Sequence, residues 1–144
     1  MKTLILSLVA VALSMGQIHA QTLNDDHTFG EVVSKSIRYP ELAHQQQKVS
    51  EAYVNFKVDA QGKITNMVIL NASHVDKSFQ QEINRVWQQL PPQSQKYQGD
   101  YVLPLSFVLD AKDKIKRAES DASILRQKSG QYTLLKEMVI TGYL

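Results

Sequence analysis

The sequence contains no cysteine, and its 144 residues include only four prolines and six glycines. The missing cysteine excludes disulfides, thiolate metal sites and thiol nucleophiles. The charges nearly cancel, with 16 basic and 14 acidic residues, so no strongly basic surface favours nucleic acid as a partner. Apolar residues make up 43% of the chain and charged residues 21%, as in ordinary globular proteins. This length and composition predict one folded domain with a modest core.

Motifs for catalysis and cofactor binding are also missing. The sequence has no G-x-S-x-G, no phosphate-binding glycine loop and no dinucleotide fingerprint. No two of its histidines have metal-ligand spacing. His74 and Asp76 are polar loop residues, and an enzyme would need both to converge with His44 in one cleft. Glu82 and Arg85 are spaced as a surface ion pair on a helix. We therefore expect a protein that is not an enzyme and that has no cofactor or metal.

The longest apolar run lies at the N-terminus and predicts a signal peptide. Residues 4–13 are apolar except Ser7, follow Lys2, and precede a small residue, Ala20, where cleavage is expected. The run is shorter than the about 20 residues of a comfortable membrane span. We expect a mature protein that is soluble outside the cytoplasm, with an uncleaved membrane anchor as the alternative.

Three helices are predicted from apolar residues at helical spacing. The first begins after a cap at Asp26 or Thr28, has Phe29, Val32, Val33 and Ile37 at helical spacing, and ends at Tyr39, before Pro40. The second follows over residues 41–47, with Leu42 and Ala43 facing the core. The third begins at a cap near Asp76, ends at a Pro-Pro pair, and has the clearest apolar stripe. That stripe consists of Phe79, Ile83, Val86, Trp87 and Leu90.

Three strands are predicted between and after these helices. Residues 51–59 alternate cleanly, and a tight turn ending at Gly62 leads into a second strand over residues 63–70. The second strand has apolar residues on both parities, which indicates a bulge or burial of both faces. The third strand, residues 101–109, contains Pro104 and is therefore expected at a sheet edge or at a bulge. The predicted fold class is α+β, with a small three-stranded antiparallel sheet packed against two helices.

The composition changes after Asp110. Residues 111–128 are charged and rich in helix formers, which predicts an exposed helical tether. Its basic cluster is a solvated helix face or a patch for an acidic partner or a membrane surface: Lys112, Lys114, Lys116 and Arg117. Residues 132–144 form a second β-like run, which is a candidate added strand.

Four motifs occur in an order that resembles the C-terminal domain of TonB-type energy transducers. They are the Tyr39-Pro40-Glu41-Leu42-Ala43 helix, the F-x-V-D-x-x-G-x-I hairpin with Gly62, the helix ending in Pro-Pro, and the closing Leu103-Pro104-Leu105-Ser106-Phe107 strand. The resemblance covers about residues 27–110, and the family positions are Tyr39, Pro40, Ala43 and Gly62. It divides the chain into a signal peptide (1–20), the TonB-like domain (21–110), a charged helical tether (111–130) and a C-terminal β-like segment (131–144).

The resemblance implies a partner and a way of binding it. In this family a short segment of an outer-membrane receptor, the TonB box, pairs with an exposed edge of the sheet by strand addition. The expected binding edge is the third strand: Tyr101, Val102, Leu103, Pro104, Leu105, Ser106 and Phe107. We expect a periplasmic or secreted protein, peripheral to the membrane, whose partner is such a receptor or another TonB-like domain. An exposed edge also allows a homodimer.

The sequence departs from a full transducer in its N-terminal part. The family's retained membrane helix often carries a Ser-x-x-x-His motif, whereas Ser14 and His19 are five residues apart here. The family's long proline-rich linker is also missing from the sequence. We therefore expect an adaptor, modulator or partial transducer in TonB-dependent transport. A true transducer anchored by its leader and a cystatin-like inhibitor or ligand binder are the alternatives.

The C-terminus resembles the L-x-E-V-V-V-T-G-Y segment of some receptors' TonB-box regions. The similar residues are Glu137, Met138, Val139, Ile140, Thr141, Gly142 and Tyr143. We hypothesise that residues 134–143 add a strand to a TonB-like edge. The edge is either the chain's own, which the segment would block, or that of another domain. A stabilising strand of another kind or a loose tail is the alternative.

Overall fold

The computed structural model describes residues 23–110, 119–127 and 130–142. The predictions for the leader, for residues 111–118 with their basic cluster, and for Tyr143 lie outside these residues. Within them the helices are α1 (Val32–Ser36), α2 (Glu41–Gln45), α3 (Lys77–Gln88) and α4 (Glu119–Gln127). The strands are β1 (Ser50–Val58), β2 (Ile64–Ile69), β3 (Gly99–Val108), β4 (Thr133–Leu134) and β5 (Met138–Thr141).

The sheet has the order β2-β1-β3, with β4 and β5 both on the far side of β3. β1 pairs antiparallel with β2 and β3, whereas β3 pairs parallel with β4 and β5. The β1–β2 register shifts between Asn55 and Lys57, and Asn66 has a positive φ of 53° there. This bulge accounts for the mixed apolar pattern of β2. The predicted α+β fold class is confirmed, including its added strand.

Helices cover one face of the sheet and form the main core with it. α3 begins at Asp76, whose carboxylate accepts a hydrogen bond from the Ser78 amide at 3.1 Å, and it ends where the chain reaches the two prolines. Aromatic rings fill the centre, with Phe56 lying 5.3 Å from Phe29 and 5.7 Å from Trp87 between ring centroids. The buried apolar residues of α3 are Phe79, Ile83, Val86 and Trp87.

The first two helices differ from their predictions. The first begins as a π-helical turn, His27–Glu31, and continues as α1. In α2 only Ala43 is buried, whereas Leu42 is 57% exposed. The prediction that Leu42 faces the core is therefore wrong. Consecutive side chains of a helix lie about 100° apart, and in this short helix the Ala43 side chain is the one that faces the core.

α4 belongs to a crossover that returns the chain to the same sheet in the parallel sense. Parallel neighbours need a connection of about a dozen residues or more, usually with a helix, and residues 109–132 supply it. Asp121 of α4 is only 7% exposed and is bonded to Asn71 and His74. The described part of the predicted tether is helical, as expected, but it is anchored through Asp121 and is not exposed throughout. Among the residues that the structure describes, no helix is both long and apolar enough to cross a membrane.

Candidate strand-binding edge

The outer side of β3 is a row of backbone groups that do not face β1. The Val102 carbonyl accepts from the Leu135 amide and the Val108 carbonyl from the Gly142 amide, both at 2.8 Å. Because backbone direction alternates along a strand, the even-numbered residues of β3 all point their N–H and C=O to this side. Pro104 has no N–H to offer there, and Ser106 does.

Pro104 costs the antiparallel part of the sheet no hydrogen bond. It lies opposite Tyr53 of β1. Tyr53 directs its own backbone groups the other way, since its amide donates to Asn71 Oδ1 at 3.0 Å and its carbonyl accepts from the Leu70 amide at 2.9 Å. β3 is thus the last strand of the antiparallel trio. The prediction that it lies at the sheet edge is wrong, because β4 and β5 pair with its outer side, and Pro104 lies instead where that pairing is interrupted. The outer side of β3 is therefore occupied by the chain's own C-terminal residues.

We call residues 133–142 the strap. Its two strands run parallel to β3 in slightly different registers. β4 pairs Thr133 with Tyr101, whereas β5 pairs Met138 with Leu105. Residues 135–137 therefore span only two positions of β3, Leu103 and Pro104, and the ladder is interrupted there. The interruption lies where Pro104 lacks a donor.

Two strap residues are buried against the domain. Leu135 is 3% exposed and belongs to the main apolar core. Gly142 lies against the aromatic ring of Tyr39, where an added Cβ would lie 2.9 Å from Cδ2 of Tyr39 and 3.1 Å from Cδ2 of His44. Between these two points, Met138 and Ile140 are partly buried against the core. The strap thus needs a glycine where it passes the Tyr39 ring.

Polar contacts fix the middle of the strap. Ser106 Oγ donates a hydrogen bond to the Glu137 carboxylate. Asn24 Nδ2 donates to the Lys136 carbonyl at 2.6 Å. Other strap side chains point to solvent, since Leu134 is 55% exposed and Val139 57%. The strap therefore has one buried side at its apolar residues and one exposed side.

The predicted family positions have different roles in the structure. Tyr39 forms part of the surface that contacts the strap, with its ring 5.9 Å from that of Phe107 of β3. Ala43 is buried at 1% exposure. Gly62 has a φ of +82°, and an added Cβ would lie 1.9 Å from the Gln93 carbonyl oxygen. Gly62 and Ala43 are therefore explained by the packing of the fold.

The candidate catalytic residues do not form one site. His74 Nδ1 lies 2.5 Å from Asp121 Oδ1, whereas Asp76 pairs with Lys48 at 2.7 Å. The Lys48 contact, together with Ser78, lowers the pKa of Asp76 to about 2. His44 lies with its ring against Tyr39. Among the described residues no cluster of three or more His, Cys, Asp or Glu residues is able to hold a metal ion.

One polar cluster was not predicted from the sequence. The side chain of Asn71, 1% exposed, donates to the Glu51 carbonyl at 2.8 Å and to Asp121 Oδ2 at 3.1 Å. It thereby joins β1 to α4 and holds the crossover that leads to the strap. No local signal marks Asn71, because its partners are distant in sequence. The predicted surface pair is present, with Arg85 and Glu82 2.6 Å apart.

Comparison with known families gives one match. A family model described as Gram-negative bacterial TonB protein C-terminal matches residues 35–109, just over half of the 144 residues. The matched range contains α2, α3 and the antiparallel trio β1–β3, and it ends before α4 and the strap. Searches of curated proteins and of solved structures gave no significant match.

Proposed function

The chain belongs to the TonB C-terminal family, and from that premise we propose that it is a periplasmic binding module of TonB-dependent outer-membrane transport. In this proposal the domain recognises an extended segment of an outer-membrane receptor, which adds as a strand to the outer side of β3. The family's role is that of a non-catalytic interaction domain in such transport.

The observation that carries the proposal is the strand already lying on β3. An extended segment there donates backbone hydrogen bonds to the carbonyls of even-numbered positions such as Val102 and Val108, and its alternate side chains reach the core. Strand addition uses the same two elements, since main-chain bonds supply affinity and side-chain contacts supply specificity. The outer side of β3 thus has the geometry that an external segment requires.

The described polar residues support a binding role over a catalytic one. His74, Asp121 and Asn71 are joined in a network that connects secondary-structure elements. Asp76 caps α3 and pairs with Lys48. No observation favours the cystatin-like alternative. The leader pattern supports export, and N-terminal sequencing of the exported protein tests it. A mature start at Gln21 is expected, and a retained Met1 would favour the anchored transducer.

The binding mode is tested by titrating the isotope-labelled full-length protein with synthetic peptides of the N-terminal periplasmic segments of outer-membrane receptors. Backbone amide shifts are expected along β3 and not along β2. Ser106→Pro should weaken binding more than Ser106→Ala does, because both substitutions remove the hydroxyl but only proline removes the outward-facing amide. The titration is repeated with Gly142→Val, which displaces the strap. If neither the wild type nor Gly142→Val shows amide shifts along β3 at saturating peptide, the proposal is refuted.

A further inference from the structure

We propose that the strap is a built-in competitor for the outer side of β3 and has to leave before a partner segment binds. The proposal rests on the proposed function, because it concerns the regulation of the same edge. It assigns a role to residues 133–142, which lie outside the range that the family model matches. Three features of the strap support the proposal: its position, the limited contacts that hold it, and its covalent connection to the domain.

The strap occupies the backbone groups that a partner would use. The carbonyls of Val102 and Val108 are bonded to it, and the Ser106 hydroxyl is bonded to Glu137. Each group pairs with one strand at a time, so the strap and an external strand exclude each other on β3. An external segment with an acidic residue followed by alternating apolar residues would make the same contacts as Glu137, Met138 and Ile140.

The strap is held by fewer contacts than the strand on the other side of β3. The β1–β3 ladder is uninterrupted from the Ser50–Phe107 pair to the Val58–Gly99 pair. The strap consists of two short strands separated at Pro104. Only Leu135 and Gly142 of the strap are buried. The strap can therefore detach while the antiparallel trio stays folded, because opening it breaks none of the trio's hydrogen bonds.

The connection of the strap to the domain sets the strength of the competition. Residues 109–132 keep the strap attached when it is open. Asp121 bonds α4 to the domain, so the stretch from this anchored helix to the strap is short, and a short tether gives an effective concentration on the order of 1 mM. A free peptide of the same sequence competes with the tethered strap for the same site with the same intrinsic affinity. Its apparent dissociation constant is therefore the intrinsic dissociation constant plus the effective concentration of the strap. The wild type should therefore bind such a peptide no more tightly than about 1 mM.

The test uses the full-length protein and a synthetic peptide of residues 133–142 as the probe. Gly142→Val places a side chain against the Tyr39 and His44 rings and should displace the strap. The expected result is peptide binding at least about tenfold tighter than in the wild type, with faster hydrogen exchange at the Leu135 amide. Ser73→Val, which introduces the same side chain at an exposed site outside the strap and β3, is the control and should match the wild type. Faster exchange without tighter binding overturns the proposal.

A second variant tests the proposal in the opposite direction, without disturbing the packing at Gly142. The sequence has no cysteine, so Val108→Cys with Thr141→Cys, at a register pair of β3 and β5, creates a single possible disulfide. The oxidised protein should not bind the peptide, and reduction should restore wild-type binding. Binding by the oxidised form would show that the peptide uses another edge and would overturn the proposal. If the probe behaves as expected but no receptor segment binds, the proposed function fails and the competition by the strap stands.

Discussion

Leu135→Ala should open the strap, and its effect follows from the position of Leu135. The side chain is 3% exposed and packs in the main core. Replacing a buried leucine by alanine costs about 2–5 kcal/mol. Because Leu135 belongs to the strap, this cost falls on strap closure as well as on global folding. At the lower end, about 2 kcal/mol, the closing equilibrium falls about 30-fold, since 1.4 kcal/mol is a factor of ten.

The assay is native-state hydrogen exchange at a reporter outside the mutated residue. The Gly142 amide donates to the Val108 carbonyl and exchanges only after the strap opens. We expect its protection to fall by about the same 30-fold. Amides between β1 and β3 exchange through global unfolding, which the substitution also makes easier, so their protection falls too but stays above that of Gly142 in both proteins. Leu134→Ala is the matched control, because Leu134 is 55% exposed and surface substitutions usually change stability by less than about 0.5 kcal/mol.

Two results would refute the reasoning behind this prediction. Unchanged protection at Gly142 would mean that Leu135 does not control strap closure. Equal protection at Gly142 and throughout the β1–β3 ladder, both before and after the substitution, would mean that the strap and the antiparallel trio unfold as one cooperative unit. In that second case the strap would be an integral strand of the fold and would not be a displaceable segment.

Three further predictions concern the contacts around the edge. Asp121→Ala should lower the free energy of unfolding in urea by about 1–3 kcal/mol, because it leaves the buried Asn71 amide without one of its partners. His74→Ala removes a half-exposed side chain and should lower it less, so equal decreases for the two variants would contradict the prediction. Gly62→Ala should destabilise the protein more than Gly130→Ala, since both have positive φ but only Gly62 lies against a carbonyl; equal melting temperatures for the two variants would exclude the clash. The pKa of Asp76 is lowered to about 2, so its carboxylate should stabilise the protein above the ordinary pKa of about 4. This stabilisation is lost as the pH falls towards 2, because protonation removes the charge that Lys48 pairs with. Between pH 5 and pH 2, Asp76→Asn should therefore lose less unfolding free energy than the wild type, and an equal loss would contradict the assignment.

Local patterns predict the antiparallel trio well because the residues that define each strand and turn are neighbours in the sequence. β1 alternates within its own residues, and Gly62 marks the turn to β2. Pro104 is also a local signal, since a residue without an N–H is found in an outer strand or at a bulge. Patterns of this kind determine both the fold class and the position of β3 at the end of the trio.

The missed features depend on contacts between distant residues. Leu42 and Ala43 have similar apolar character, and only the packed structure shows that Ala43 is the buried one. The anchoring of α4 depends on Asp121, whose partner Asn71 lies 50 residues away in sequence. A charged residue in a charged segment is ordinarily solvated, so composition favoured an exposed tether. The place of β3 at the end of the antiparallel trio was therefore predictable from the sequence, whereas the polar cluster that holds the crossover was not.

The parallel orientation of the segment on β3 has a mechanical consequence. A receptor segment in the strap's place, pulled along its own axis, would load all its backbone hydrogen bonds together in shear. The strap ends beside Gly142, and a displacement that begins there would break its bonds one after another, as in unzipping, with a pause at the interruption opposite Pro104. The outer side of β3 would thus release its own segment one bond at a time, whereas a segment pulled along its axis in the same place would be held by all its bonds together.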